Sequence, residues 1–159
     1  MDNPHAFYAL EPRWLTRDFF YKIYVTERDL RGVLLGRQVY DENSAFRQMI
    51  GPAQIFAPLM RRWADRILEN ICRREEYYDG IVLVSDAFLE HDPRNFQIFK
   101  ADILSLRANS KKRLWTGFSK IGGTLWLQTS DRSREWIIVG DQDLNSIATC
   151  LGYPHAAGG

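Results

Sequence analysis

The sequence predicts an α+β fold: an antiparallel, barrel-like sheet of about six or seven strands, a long helical segment in its middle and a helix at its end. Three observations point there. Short runs rich in β-branched and aromatic residues recur at close spacing, with turn residues between them. One stretch, from Ile55 to Ile71, changes to an apolar period of four. The chain then closes on a capping aspartate, an apolar face at helical spacing and a glycine.

The elements follow in order. Residues 1–18, with Pro4, Pro12 and Trp14, read as an irregular arm. In Phe19–Val25, Tyr21, Ile23 and Val25 alternate with more polar positions, which predicts a half-buried strand. Thr26-Glu27-Arg28-Asp29 is a polar turn, and Val33, Leu35 and Val39 mark the second strand of a hairpin. Asn43 or Ser44 can cap a short helix that Gly51-Pro52 breaks. Ile55, Leu59, Trp63, Ile67 and Ile71, widened by Phe56, Met60 and Leu68, form one face of an amphipathic helix that reaches about Arg74.

Ile81-Val82-Leu83-Val84, short and β-branched after Asp79-Gly80, reads as a strand, and Asp92 to Asn95 as a turn. Strands at 96–99, 103–107, 114–118, 124–129 and 136–139 then form a meander, with a turn at Gly122-Gly123. Asp141 or Asp143 caps the last helix, whose face is Leu144, Ile147, Ala148 and Leu151, and Gly152 ends it.

Composition sets the function classes. A chain of 159 residues fits one domain, and 45% hydrophobic with 26% charged residues excludes a disordered or collagen-like chain. The 21 Lys and Arg against 20 Asp and Glu leave +1, so no global charge calls for nucleic acid, and no nucleic-acid partner is expected. No apolar run reaches the ~18–20 residues of a membrane span. The first residues lack a basic segment followed by an apolar core. Cys72 and Cys150 have no CxxC spacing and sit among apolar neighbours, so both are expected reduced and buried. Together these lead to the expectation of a cytoplasmic chain, in the cytoplasm or on the cytoplasmic side of a membrane.

Three stretches carry a family likeness. Tyr24-Val25-Thr26-Glu27-Arg28-Asp29-Leu30-Arg31-Gly32-Val33 has the form of a first hairpin. Asn95-Phe96-Gln97-Ile98-Phe99-Lys100-Ala101-Asp102-Ile103 is similar to an "N-F-x-I-P-Y-x-D-I" step between strands. Gly140-Asp141 to Leu151-Gly152 matches a final strand-to-helix turn. The chain thus resembles the pleckstrin-homology-like domains of bacteria, related in shape to GRAM domains, over about two-thirds of its length. The resemblance implies one domain over 1–159: an arm at 1–18, a helical insertion at 41–93, a meander and closing helix at 94–152, and a tail at 153–159. It departs at Phe99, where the family has Pro, and in the insertion itself.

No catalytic constellation emerges. In Glu90-His91-Asp92 a carboxylate could orient an imidazole, but no GxSxG and no activated cysteine accompany it, so an exposed turn histidine is expected. The six acids of residues 75–92 lack calcium-loop spacing and read as a solvated acidic face. No metal site and no cofactor is expected. From Arg94 to Lys120, seven basic residues face one acid, Asp102, a local +6. Arg107, Lys111, Lys112, Arg113 and Lys120 are therefore the candidate ligand-binding residues, fit to donate to phosphate oxygens. Glu27-Arg28-Asp29, where the family's lipid signature would stand, is mixed in charge and argues against specific phosphoinositide recognition.

The sequence thus predicts a non-catalytic binding module for a protein or for an anionic, phosphate-bearing or lipid ligand. The alternative is a structural protein that self-associates through the long helix, with Ile55, Leu59, Trp63 and Ile67 at the interface. Trp63, central on that stripe, is where truncation would cost about 2 kcal/mol or more of binding. Trp63→Asp is expected to turn a dimer into a monomer without unfolding the sheet, as light scattering and circular dichroism would report. A wild-type chain that stays monomeric at high concentration places the stripe in the protein's own core.

Overall fold

A computed structural model of the chain describes residues 5–13, 18–37, 57–110 and 121–153. The elements are β1 (His5–Glu11), β2 (Phe19–Val25), β3 (Asp29–Arg37), α1 (Ala57–Ile81), α2 (Ala87–His91), β4 (Phe96–Phe99), a single 3-10 turn (Lys100–Asp102), β5 (Ile103–Asn109), β6 (Ile121–Thr129), β7 (Ser133–Val139) and α3 (Leu144–Cys150). All strand pairs are antiparallel, in the order β4-β3-β2-β1-β7-β6-β5.

That order forces the sheet to curl. The two edge strands, β4 and β5, follow one another in the chain with three residues between them. In a flat sheet they would lie six spacings apart, roughly 29 Å. The four Cα steps from Phe99 to Ile103 reach at most about 15 Å. The sheet therefore rolls into a half-barrel with an inner and an outer face. Its inner face is packed with Phe7, Tyr21, Ile23, Leu34, Leu127 and Trp136, among others, and α3 adds Leu144, Ile147, Ala148 and Leu151. Asp143 caps α3 by accepting from the backbone N–H groups of Asn145 and Ser146, and Gly152, at φ 87°, lets the chain leave it.

The outer face carries the second core. Leu10, Phe20, Tyr24, Val33 and Leu35 of β1–β3, with Ile137 and Val139 of β7, pack against Ile71 and Tyr78 of α1, Val82 just past its end and Phe88 of α2. Covered on both faces, β2 is buried nearly throughout, not half-buried as its alternation predicts. α1 runs seven residues past Arg74, because Ile67, Ile71, Tyr78 and Val82 continue one apolar stripe onto the sheet. Ile81–Val84 is accordingly the end of α1 and a turn, not a strand: the N–H groups of Val84 and Ser85 both bond the carbonyl of Ile81.

Several further expectations are corrected. The N-terminal arm contains β1, a central strand paired with both β2 and β7, which Pro12 ends by withholding an N–H. The hairpin at Tyr24–Val33 is therefore the second, not the first. Residues 96–107 are not two neighbours in a meander, since β4 pairs with β3 and β5 with β6. Gly122-Gly123 lies inside β6 beside an irregularity in its pairing with β7, and a Cβ at Gly123 would press on Leu144. Cys72 is exposed, and Cys150 half-buried against the inner core. The stretches at 38–56 and 111–120, with the expected Asn43 or Ser44 cap and the strand at 114–118, lie outside the described residues.

An ionic cluster fastens α1 to the sheet. Lys22, on the outer face of β2, donates to Glu75 at 2.7 Å and to Asp79 at 2.8 Å. The hydroxyls of Tyr8 and Tyr24 donate to the same two carboxylates. Burial works against the ammonium, but its hydrogen bonds to Asp79 and Glu75 outweigh that and hold the Lys22 pKa above its ordinary value. Burial, then the neighbouring carboxylate, pushes the Tyr8 phenol up to about 12. The acids of 75–92 are thus only partly a solvated face: Glu75 and Asp79 serve this cluster, and Asp92 is buried.

Phe96 crosses β3 at Gly32, its register partner, and a Cβ there would fall well inside van der Waals contact of the ring. Gly32→Ala is expected to cost about 1–3 kcal/mol, measured by urea unfolding. Combined with Phe96→Ala, it should cost less than the sum of the two. Strict additivity would show that ring and backbone do not compete for that space.

Candidate functional site

The register brings one aromatic and several guanidiniums to one end of the sheet. Glu11, Phe19 and Arg37 are cross-strand partners in a row over β1, β2 and β3. This is the end where β7 begins, away from the end where β7 leads into α3. The guanidinium carbons of Arg13, Arg37 and Arg94 lie 4.8, 5.5 and 5.8 Å from the centre of the Phe19 ring. Such separations suit cation–π attraction, which holds three like charges about one ring.

Carboxylates order this end without neutralising it. Glu11 takes Arg134 at 2.5 Å and Arg13 at 3.0 Å, and accepts from the Trp136 indole N–H at 3.3 Å. The Arg134 guanidinium stacks 3.9 Å from the Phe96 ring centre, and that ring stacks on Trp136. Asp92 receives two bonds from the Arg94 guanidinium, each 2.8 Å, one from the Arg94 backbone N–H at 3.0 Å and one from Arg74 at 2.9 Å. Burial pushes the Tyr21 phenol up to about 12, helped by Glu11, so its hydroxyl stays protonated and donates to the Arg94 carbonyl at 3.1 Å. The Nε–H groups of Arg74 and Arg134 are buried and meet no acceptor among the described residues. Five guanidiniums stand against Glu11, Asp92 and Asp18, and among the described residues Arg37 has no carboxylate partner. Planar donors in excess of acceptors fit a phosphate, sulfate or carboxylate.

Of the ligand-binding residues the sequence singled out, Arg107 is described, exposed on the outer side of β5. It stands beside Trp126 in a groove of about 860 Å³. Lys111, Lys112, Arg113 and Lys120 lie outside the described residues. Of the interface residues, Ile67 is half-buried against the protein's own sheet, next to buried Ile71. Ile55 lies outside the described residues, as do the side chains of Leu59 and Trp63. Glu90-His91-Asp92 does not assemble. His91 is exposed, its Nδ1 bonds the Tyr78 hydroxyl at 2.9 Å, and its ring packs on Tyr77, while Asp92 turns to the arginines. Among the described residues, no three His, Cys, Asp or Glu side chains converge as metal ligands.

Sequence reasoning missed Arg13, Phe19, Arg37, Arg94 and Arg134. They are spread over the chain: strand register places Phe19 and Arg37 beside Glu11, while Arg13 and Arg94 reach them from connections next to β1 and β4. Comparison with family models, with curated proteins and with solved structures finds no match for the chain.

Burial opposes the charge on Asp92, but the hydrogen bonds from Arg94 and Arg74 outweigh it and bring its pKa down to about 2. A folded pKa below the unfolded one stabilises the fold above about pH 4, and that stability is lost as the pH falls toward 2. Asp92→Asn is expected to cost roughly 2 kcal/mol at neutral pH and to flatten the acid limb of the stability curve, read by urea unfolding. An unchanged acid limb would mean that Asp92 is not held by its arginines.

Proposed function

We propose that this chain is a non-catalytic binding module of the pleckstrin-homology-like kind, which takes an anionic, phosphate-bearing ligand at the arginine-rich end of its half-barrel. The observation that carries this is the set of Arg13, Arg37 and Arg94 around Phe19. Guanidiniums already held in place by Glu11 and Asp92 lose little freedom when an anion arrives. The curled seven-stranded antiparallel sheet, packed at its inner face by a C-terminal helix, fits a pleckstrin-homology-like barrel in general shape. The connection from β1 to β2, bearing Arg13, takes the first-hairpin position that the sequence suggested for Glu27-Arg28-Asp29, so mixed charge there no longer weighs against an anion.

We place the module in the cytoplasm. An exposed Cys72 left as a free thiol suits a reducing compartment. Among the described residues no helix is long and apolar enough to cross a membrane.

The test is titration with inorganic phosphate, with inositol hexakisphosphate and with vesicles containing anionic lipid, followed by NMR. Arg37→Glu is expected to weaken binding by roughly tenfold or more and to leave stability within about 0.5 kcal/mol. Binding should fall as salt is added. Wild-type protein that binds none of these anions, or binding untouched by Arg37→Glu, rejects the proposal.

A further inference from the structure

Among the described residues, three of the seven exposed large hydrophobic side chains fall within eight positions, at the end of α1. They are Tyr77, 48% exposed, Leu83, 41%, and Val84, 80%. The fold fixes this tip. Helical bonding carries on past Ile81: the Val82 N–H bonds the Tyr78 carbonyl, and those of Val84 and Ser85 bond Ile81. From β3 the Arg31 guanidinium reaches the Val82 carbonyl at 2.7 Å and Asp86 at 3.5 Å. An apolar surface held in this way loses little freedom when a partner covers it.

Gly80 sits at the centre of this surface. On a helix the residues three and four positions away surround a given one, here Glu76, Tyr77, Leu83 and Val84. A Cβ at Gly80 would meet no atom of the described residues within 4 Å, and its φ lies outside the left-handed region. Neither packing within the chain nor the backbone angle therefore calls for glycine, which costs helix stability relative to alanine. What it leaves is an open depression with three apolar walls and one acid. A side chain from outside can enter it, as a knob enters the hole between four residues.

Charge selects the partner. Residues 75–92 hold six acids and no Lys or Arg. Glu75 and Asp79 are engaged by Lys22, and Asp92 by Arg74 and Arg94. Glu76, on the rim of the depression, and Glu90, next to the histidine that packs on Tyr77, are exposed and carry no ion pair among the described residues. An acidic segment is repelled by both, whereas one with Lys or Arg flanking an apolar residue pairs with them. We infer that the end of α1 is a docking surface for a basic amphipathic segment of another protein. It sets an apolar side chain in the Gly80 depression, between Tyr77, Leu83 and Val84, and cations against Glu76 and Glu90.

The test uses the full chain labelled for NMR, with a leucine–lysine peptide of helical period, its leucine–glutamate counterpart and tetralysine as probes. The leucine–lysine peptide alone is expected to shift the amides of residues 76–90, with an affinity that falls as salt is added. Gly80→Leu, which fills the depression, should weaken that binding roughly tenfold while raising resistance to urea. Glu76→Lys combined with Glu90→Lys should weaken it as much. Should Gly80→Leu disturb the helix end, Val84→Ser is expected to weaken binding several-fold. The inference is overturned if the leucine–lysine peptide shifts nothing in 76–90, or if either other probe shifts those residues as much. It is overturned too if binding survives both Gly80→Leu and Val84→Ser, or if the same amides move with protein concentration alone, which makes a second copy the occupant. Inorganic phosphate reports on the arginine-rich end separately, so a failure here leaves the anion site standing.

Discussion

The fold depends on one short connection. Three residues, Lys100–Asp102, join strands that would otherwise be the opposite edges of a seven-stranded sheet. Everything else answers the curl this demands. Curling makes an inner face too narrow for a second sheet, and α3 supplies the missing apolar side chains there. Curling also turns the other face outward across β1–β3, where Phe20, Tyr24, Val33 and Leu35 would stand in water without α1. The corner is fixed locally as well. The Lys100 N–H bonds the Arg28 carbonyl at 2.8 Å, and its ammonium bonds the carbonyl of Cys150 at 3.0 Å, so one residue ties the corner to both the second hairpin and the closing helix. Phe99, with φ −70°, holds there the backbone angle to which a proline ring is confined.

The middle of the sheet has the opposite problem, since β1 and β7 share only two paired positions. The Gln142 side chain extends that seam. Its amide oxygen accepts from the Tyr8 N–H and its nitrogen donates to the Tyr8 carbonyl, each at 2.9 Å, as a strand residue would. A side chain thus stands in for backbone where β7 has already turned toward α3.

What was legible in the sequence depended on how local its signal was. The closing helix could be read outright, because Asp143, the spacing of Leu144, Ile147 and Ala148, and Gly152 all lie within ten residues. The class of fold and the 19–25 strand could be read from apolar runs. β1 could not, because Phe7 and Ala9 face one core while Leu10 faces the other, which erases the alternation that marks a strand. Ile81–Val84 misled for the reverse reason: its β-branched residues suit a strand, but Val82 completes a stripe begun fifteen residues earlier at Ile67. The arginine-rich end was illegible in principle from local pattern. Arg13, Arg37, Arg94 and Arg134 meet only after Glu11, Phe19 and Arg37 have been placed in one row. Lys22 misled too: amid Phe-Phe-Tyr and Ile-Tyr-Val it reads as the solvent side of a half-buried strand, whereas Glu75 and Asp79 of α1 receive it.

That lysine also sets where along its length α1 can rest. Glu75 and Asp79 are one turn apart, and both grip the same ammonium. Sliding the helix one turn, about 5.4 Å, would bring Ile71 to Lys22 in place of one carboxylate in one direction, and in the other would carry Glu75 away from it. An apolar stripe alone tolerates such a slip, since Ile67, Ile71, Tyr78 and Val82 offer similar surfaces at each step. Two acids against one base do not. The cluster works as a positional key: both acids meet the lysine in one seat alone, and a neighbouring seat forfeits one of the two pairs.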